Sequence, residues 1–166
     1  EKDQVVGEVN KGWTIAKYLL THEREMIGSM GMTSPASETL GQIAARTMGV
    51  EEGRMNNPML RAEVAKWEID GTCFALTAER VTDEVKSGSG VGATSAMLKY
   101  YGTELNKRRF ETLLKISGSD GVVWNGEDSS SGWLPRTWLR TKGNSIEGGT
   151  SEIQLNVIAK NILGLG

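Results

Sequence analysis

The sequence predicts an all-α fold, an antiparallel four-helix bundle with short additional helices, and three observations carry that prediction. Apolar residues recur at helical spacing over long stretches. The three prolines stand only where a helix would start or a loop would run. No segment shows the period-2 alternation of a strand in a way that outcompetes the helical pattern.

The best-defined element begins at Asn57-Pro58, since Asn caps a helix and Pro suits its first turn. Apolar or small residues then recur at Leu60, Val64, Trp67, Gly71, Phe74, Ala78 and Val81, and the helix is expected to end near Lys86. That alternation of four- and three-residue steps marks a helix packed lengthwise in a bundle. Arg61, Glu63, Lys66, Glu68 and Asp70 occupy its outer face. A second long helix fits 93–117, with Met97, Leu98, Tyr101, Leu105, Leu113 and Ile116 inward. A third fits 11–31, with Trp13, Ala16, Leu20, Ile27 and Met30 on one stripe. A shorter helix fits 36–48, and a final one runs from about Ser151 to Leu163. The segment 118–145 is rich in Gly, Ser and Asp and reads as a long loop with a helical turn at 134–141.

The bulk numbers set bounds. The 166 residues suffice for one domain with a core, so 1–166 reads as a single unit. Nineteen Lys and Arg against 21 Asp and Glu leave a formal charge of -2, no reason to expect nucleic acid or an anionic membrane as partner. The apolar runs are too short to span a bilayer, and EKDQVVGEVNKGW lacks a signal-peptide core. The expectation is a cytoplasmic, bacterial protein, the mitochondrial matrix remaining open. The absence of an initial Met suits a domain of something longer. Cys73 is the lone cysteine and His22 the lone histidine. No zinc site, Cys-His nucleophile or di-iron site of the Glu-x-x-His kind follows, so both residues, like the five tryptophans, are read as structural and metal ligands as none.

The start of the last helix carries the chemistry. In Glu147-Gly148-Gly149-Thr150-Ser151-Glu152-Ile153-Gln154, two glycines permit close approach of backbone to a ligand. Thr150 or Ser151 is placed to cap the helix, and Ser151 with Gln154 has capping-box spacing. Free N–H groups at such a start favour an anion or a polarised oxygen. On spacing alone, an ordinary capped helix after a Gly loop is the favoured account of the segment.

The stretch IEGGTSEIQLNVIAKNILGLG resembles the closing segment of the acyl-CoA dehydrogenases. VGEVNKGWTIAKYLLTHER is similar to the start of that family's C-terminal helical domain, and SAMLKYYGTELNKRRFETLLKISGSDG to its penultimate helix and glycine turn. The resemblance implies FAD-dependent α,β-dehydrogenation of an acyl-CoA thioester to the trans-2-enoyl-CoA, as in fatty acid metabolism. An electron-transfer flavoprotein would be the acceptor, and the assembly a dimer or tetramer of like chains or a heterotetramer. It places Thr150 and Glu152 against FAD, and the Gly148 N–H against the thioester carbonyl, where a donor would stabilise charge as the α-proton leaves. It also implies that the family's N-terminal helical and middle β domains are absent from this chain, and that the chain alone has little or no activity.

The family's usual base is a Glu directly before Gly-Thr-Ser, and here Gly148 occupies that position. Glu147, one residue earlier, would leave the backbone in another direction. A branch of the family carries the base in Leu-x-x-Glu-Arg on the first helix, which Leu20-Thr21-His22-Glu23-Arg24 matches. Glu23 follows Leu20 by three residues and precedes Ile27 by four, on the apolar stripe. A carboxylate among apolar neighbours has its charged form disfavoured and becomes a stronger base. Glu23 is therefore the expected catalytic base and Arg24 its neighbour at the substrate. The competing reading is a charged residue at the core edge, paired with an Arg or Lys.

Two departures bear on the cofactor. The family's Arg-x-x-Phe-Gly is replaced by GVEEGRMNNP, with Arg54 out of place. Its Gln-x-x-Gly-Gly-x-Gly becomes Lys115-Ile116-Ser117-Gly118-Ser119-Asp120-Gly121, where Lys115 would meet a pyrophosphate as a cation, with Ser119 beside it. These departures favour a second reading, a non-catalytic protomer of a heteromeric enzyme. A third, a plain interaction bundle, requires the last-helix motif to be coincidence.

Overall fold

The computed structural model describes residues 2–29, 38–88, 92–126 and 130–166. Six α-helices follow one another: α1 (Gly12–Ser29), α2 (Leu40–Met48), α3 (Pro58–Lys86), α4 (Thr94–Ser117), α5 (Trp133–Asn144) and α6 (Ser151–Asn161). No strand occurs among the described residues, only an isolated antiparallel bridge between Glu51 and Arg54.

The helix starts follow from local chemistry. Asn57 caps α3 by accepting from the Leu60 N–H at 3.0 Å, with Pro58 in the first turn. Thr39 and Gln42 form a reciprocal capping box that starts α2 at Leu40. The helix expected from 36 and the stripe positions Ile27 and Met30 fall partly outside the described residues.

α4 is the central element, in contact with α1, α2, α3, α5 and α6. Cross-links show α3 running antiparallel to it: Lys115 pairs with Glu63 at 2.6 Å, Arg108 with Asp70 at 2.7 Å, and Tyr101 stacks on Phe74. α5 also runs antiparallel to α4, with Lys142 on Glu111 and Asn144 on Asn106. Leu40, Leu60, Val64, Trp67, Phe74, Leu105, Leu113 and Ile116 form the core between α2, α3 and α4. Every apolar or small residue singled out on α3 is buried or half-buried; of its expected outer face Arg61, Glu63 and Lys66 are exposed, while Glu68 and Asp70 are half-buried.

Three expectations are corrected. The presumed loop with one helical turn holds a three-turn helix, α5. Its Gly132 start has a left-handed backbone and no side-chain cap, so composition gave no start signal. Leu134 and Trp138 packing on the core hold it instead. Trp13 is 70% exposed rather than inward, and Tyr101 sits at the rim at 37%. α1 rests on α4 through its half-buried face at Ala16, Leu20 and Glu23, while Trp13, Tyr18 and Leu19 face outward. Cys73 and His22 are also exposed, so neither packs in the core.

Candidate active site

The turn between α5 and α6 is fastened from three sides. Glu147 accepts from Arg140 Nη2 at 2.8 and 3.1 Å and from the Asn144 amide, whose own oxygen accepts from Asn106 on α4. The Glu104 carboxylate on α4 accepts from Lys107, from Ser145 Oγ at 3.2 Å and from Ser151 Oγ at 3.4 Å. From beneath, Lys99 Nζ donates to the Gly149 carbonyl at 2.8 Å. Gln154 Nε2 donates to the Gly148 and Gly149 carbonyls at 3.0 and 3.2 Å.

Gly148 and Gly149 have φ of 65° and 96°, backbone that side-chain-bearing residues rarely adopt. A Cβ on Gly149 would stand 2.7 Å from Gln154 Nε2, so the second glycine is required for this close approach. The cap of α6 is Thr150, whose Oγ1 accepts from the Ile153 N–H. The Ser151–Gln154 capping box does not form: Ser151 turns to Glu104, and Gln154, fully buried, turns back to the glycine carbonyls. The N–H groups of Gly148, Gly149 and Thr150 have no acceptor among the described residues, which leaves three donors at the turn.

The electrostatics follow the contacts. The Arg140 hydrogen bond holds the Glu147 carboxyl below the usual carboxylate range, its burial acting the other way and Asn144 reinforcing the drop. Glu152's own N–H and the Thr150 hydroxyl hold its carboxyl low as well. Burial pushes the Lys99 ammonium below the usual lysine range, against the pull of Glu104, Glu147 and Glu152. Lys99 escaped the sequence reading, and Gln154 was read as a capping-box partner rather than as a clasp on the glycine carbonyls. The available signal was a lysine on the stripe of small residues Ser95, Ala96, Gly102 and Thr103, all buried.

The site candidates fall into separate places. Gly148, Thr150 and Glu152 share the turn and the first turn of α6. Lys115 and Ser119 lie at the far end of α4, sixteen residues beyond Lys99, about 24 Å along a helix. Lys115 borders a groove of about 270 Å³ with Glu63, Lys66, Arg108 and Glu111, its charge already engaged by Glu63. Ser119 Oγ reaches Asp120 at 3.4 Å. Glu23 is half-buried on the α4 side of α1, with Tyr18 and Leu19 beside it exposed, so this chain supplies only part of an apolar surround. The Arg24 side chain lies outside the described residues.

Amide N–H groups at Gly148, Gly149 and Thr150 stand beside the Glu152 carboxylate, a mixed set of donors and acceptor. The Glu152 charge makes the same set unsuited to a phosphate. Among the described residues no cluster of His, Cys, Asp and Glu could hold a metal, and no helix is long and apolar enough to cross a membrane.

Comparison with known proteins agrees with this architecture. The family model for the acyl-CoA dehydrogenase C-terminal domain matches residues 10–163. Acyl-CoA dehydrogenase FadE34 of Mycobacterium tuberculosis is 28% identical over 165 residues, which cover 98% of this chain and 21% of that protein. Acyl-CoA dehydrogenase IpdE1 of Mycolicibacterium smegmatis is 28% identical, over 99% of this chain and 40% of its own. The solved Tcur3481-Tcur3483 steroid ACAD superposes with a TM-score of 0.77 at 25% identity, over 98% of this chain and 42% of that one. An acyl-CoA dehydrogenase structure from Geobacillus kaustophilus, at 20% identity and a TM-score of 0.75, shares the fold. The chain belongs to the acyl-CoA dehydrogenase family. The part of the family it represents is the C-terminal helical domain, and it spans between a fifth and two fifths of the relatives it matches.

Proposed function

We propose that this chain is the C-terminal part of an FAD-dependent acyl-CoA dehydrogenase and supplies its base, its thioester-oxygen donor and part of its flavin site. The observation that carries the reading is the turn at Gly148-Gly149-Thr150, held from three sides with three amide donors unspent. Preorganised donors of this kind stabilise negative charge that develops on an acyl oxygen.

In this reading the Glu23 carboxylate accepts the α-proton of the acyl thioester, with Arg24 next to it at the substrate. The Gly148 N–H donates to the thioester oxygen as charge builds there. Thr150 and Glu152 hold the flavin edge of one FAD, and Lys115 and Ser119, about 24 Å away along α4, meet the pyrophosphate of a neighbouring subunit's FAD, for which Lys115 exchanges its Glu63 partner. FAD, when bound, supplies the acceptor for the β-hydride. Against Glu147 as the base stands the hold of Arg140 and Asn144 on its carboxylate, which stabilises the charged form.

The uncovered apolar residues include Trp13, Tyr18 and Leu19 on α1 and Ile69 and Leu76 on α3. Surface of this kind supports burial against further protein, whether another domain or another subunit. The isolated 166 residues are accordingly expected to show little or no dehydrogenase activity.

A second reading has one observation in its favour. In place of Arg-x-x-Phe-Gly the chain has GVEEGRMNNP, and the Glu51–Arg54 bridge folds that segment into a tight turn with Arg54 exposed. A protomer that has lost part of an FAD site fits a heteromer, and one solved relative bears a paired name. The flavin absorbance per chain of the purified full-length protein separates the readings. One FAD per chain supports the catalytic protomer throughout; one per two chains supports the heteromer; no FAD on a folded protein overturns both.

A further inference from the structure

Lys99 has no part in the chemistry above, yet it is the largest fully buried side chain among the described residues. Its stem runs along the small-residue face of α4, between Ala96 and Thr103, both nearly inaccessible. Its ammonium makes one hydrogen bond, to the Gly149 carbonyl fifty residues away at 2.8 Å. Glu104, Glu147 and Glu152 act on it through space, but none forms an ion pair with it. A buried ammonium without a carboxylate partner is unfavourable unless its hydrogen bonding is well made.

What the bond does follows from peptide geometry. Gln154 holds the Gly148 carbonyl, and Lys99 and Gln154 together hold the Gly149 carbonyl, both drawn toward the interior. In a trans planar peptide the carbonyl and the following N–H point in opposite directions, and no cis bond occurs here. The N–H groups of Gly149 and Thr150 are therefore turned away from Lys99 and Gln154, and neither has an acceptor among the described residues. A cation on the carbonyl also polarises its peptide and strengthens the N–H on the other side.

We propose that Lys99 is a positioning residue of the site: through the Gly149 carbonyl, from beneath the di-glycine turn, it aims and polarises the Thr150 amide as a further donor to the acyl thioester oxygen. This rests on the acyl-CoA reading and adds to it one donor and the residue that sets it. A group that acts on charge developing in the transition state lowers kcat more than it raises KM when removed.

The test uses the full-length, FAD-loaded enzyme with an acyl-CoA isotopically labelled at the thioester carbonyl, read by difference infrared spectroscopy. In the wild type the bound carbonyl band is expected below its frequency in water. Lys99→Met keeps the length and removes the charge, so the band moves back toward the free value. Its kcat falls roughly 10- to 100-fold with KM and FAD content little changed. Lys99→Arg restores part of both. If Lys99→Met does not fold, Lys99→Gln keeps a neutral donor and is expected to give an intermediate band. An unchanged band in a folded Lys99 variant, or loss of kcat only in step with lost FAD, overturns the role of Lys99. A wild-type band with no shift, FAD being bound, overturns the acyl-CoA reading itself.

Discussion

The Glu147 carboxylate is gripped by the Arg140 guanidinium, with Nη2 at 2.8 and 3.1 Å from its two oxygens, one helical turn and a bend downstream. The pair closes the α5–α6 corner directly before the glycines, and it sets a pH dependence. Because the folded-state pKa of Glu147 is depressed below its ordinary 4.5, the folded chain binds fewer protons than the unfolded one in that range. Its stabilisation is present above about pH 4.5 and is lost as the pH falls through the lower folded value. Glu147→Gln should flatten this acid limb in urea titrations at pH 7 and pH 4, and leave neutral-pH proton exchange with substrate intact. An unaltered acid limb contradicts the assignment of the pair.

Gly149→Ala places a Cβ at φ +96°, 2.7 Å from Gln154 Nε2. The strain is expected to cost about 1–3 kcal/mol, visible as a lower thermal midpoint and a weakened hold on FAD. Wild-type stability in this variant would mean that the turn relaxes freely and is not a rigid donor platform.

Trp67 donates its indole N–H to the Leu105 carbonyl at 2.9 Å across α3 and α4. Trp67→Phe keeps most of the apolar contact and leaves the carbonyl without this donor, for a loss of about 1–2 kcal/mol in denaturant unfolding. A neutral result would assign the joint to packing alone.

Lys115→Met removes the cation that faces Glu63 at the end of α4. If Lys115 leaves Glu63 for the pyrophosphate, FAD affinity falls about tenfold, or ~1.4 kcal/mol. Unchanged affinity restricts Lys115 to its ion pair with Glu63.

The helices were legible where periodicity was strong. α3 begins and ends where Asn57-Pro58 and Lys86 place it, because capping chemistry and the apolar stripe agree. α5 was not legible, since its start is a left-handed Gly132 and its stability comes from Leu134 and Trp138 packing on distant residues. Trp13 misled for the complementary reason: apolar spacing says that a face will be covered but not by what, and within this chain it is uncovered. The donor residues of the turn stood out by their glycines. The inward roles of Lys99 and Gln154 did not, because a polar side chain on an inner face is read as an exception until its partner, here a backbone carbonyl of the α5–α6 turn, is known.

The central claim is that the base is Glu23 on α1 and not a residue of the last-helix motif. The most direct measurement is α-proton exchange of a bound acyl-CoA into deuterated water by the full-length, FAD-loaded enzyme. Glu23→Gln is expected to slow exchange by a factor on the order of 10²–10⁴, with FAD still bound and Glu147→Gln exchanging at the wild-type rate. Exchange that survives in Glu23→Gln and is lost in Glu147→Gln would contradict the account.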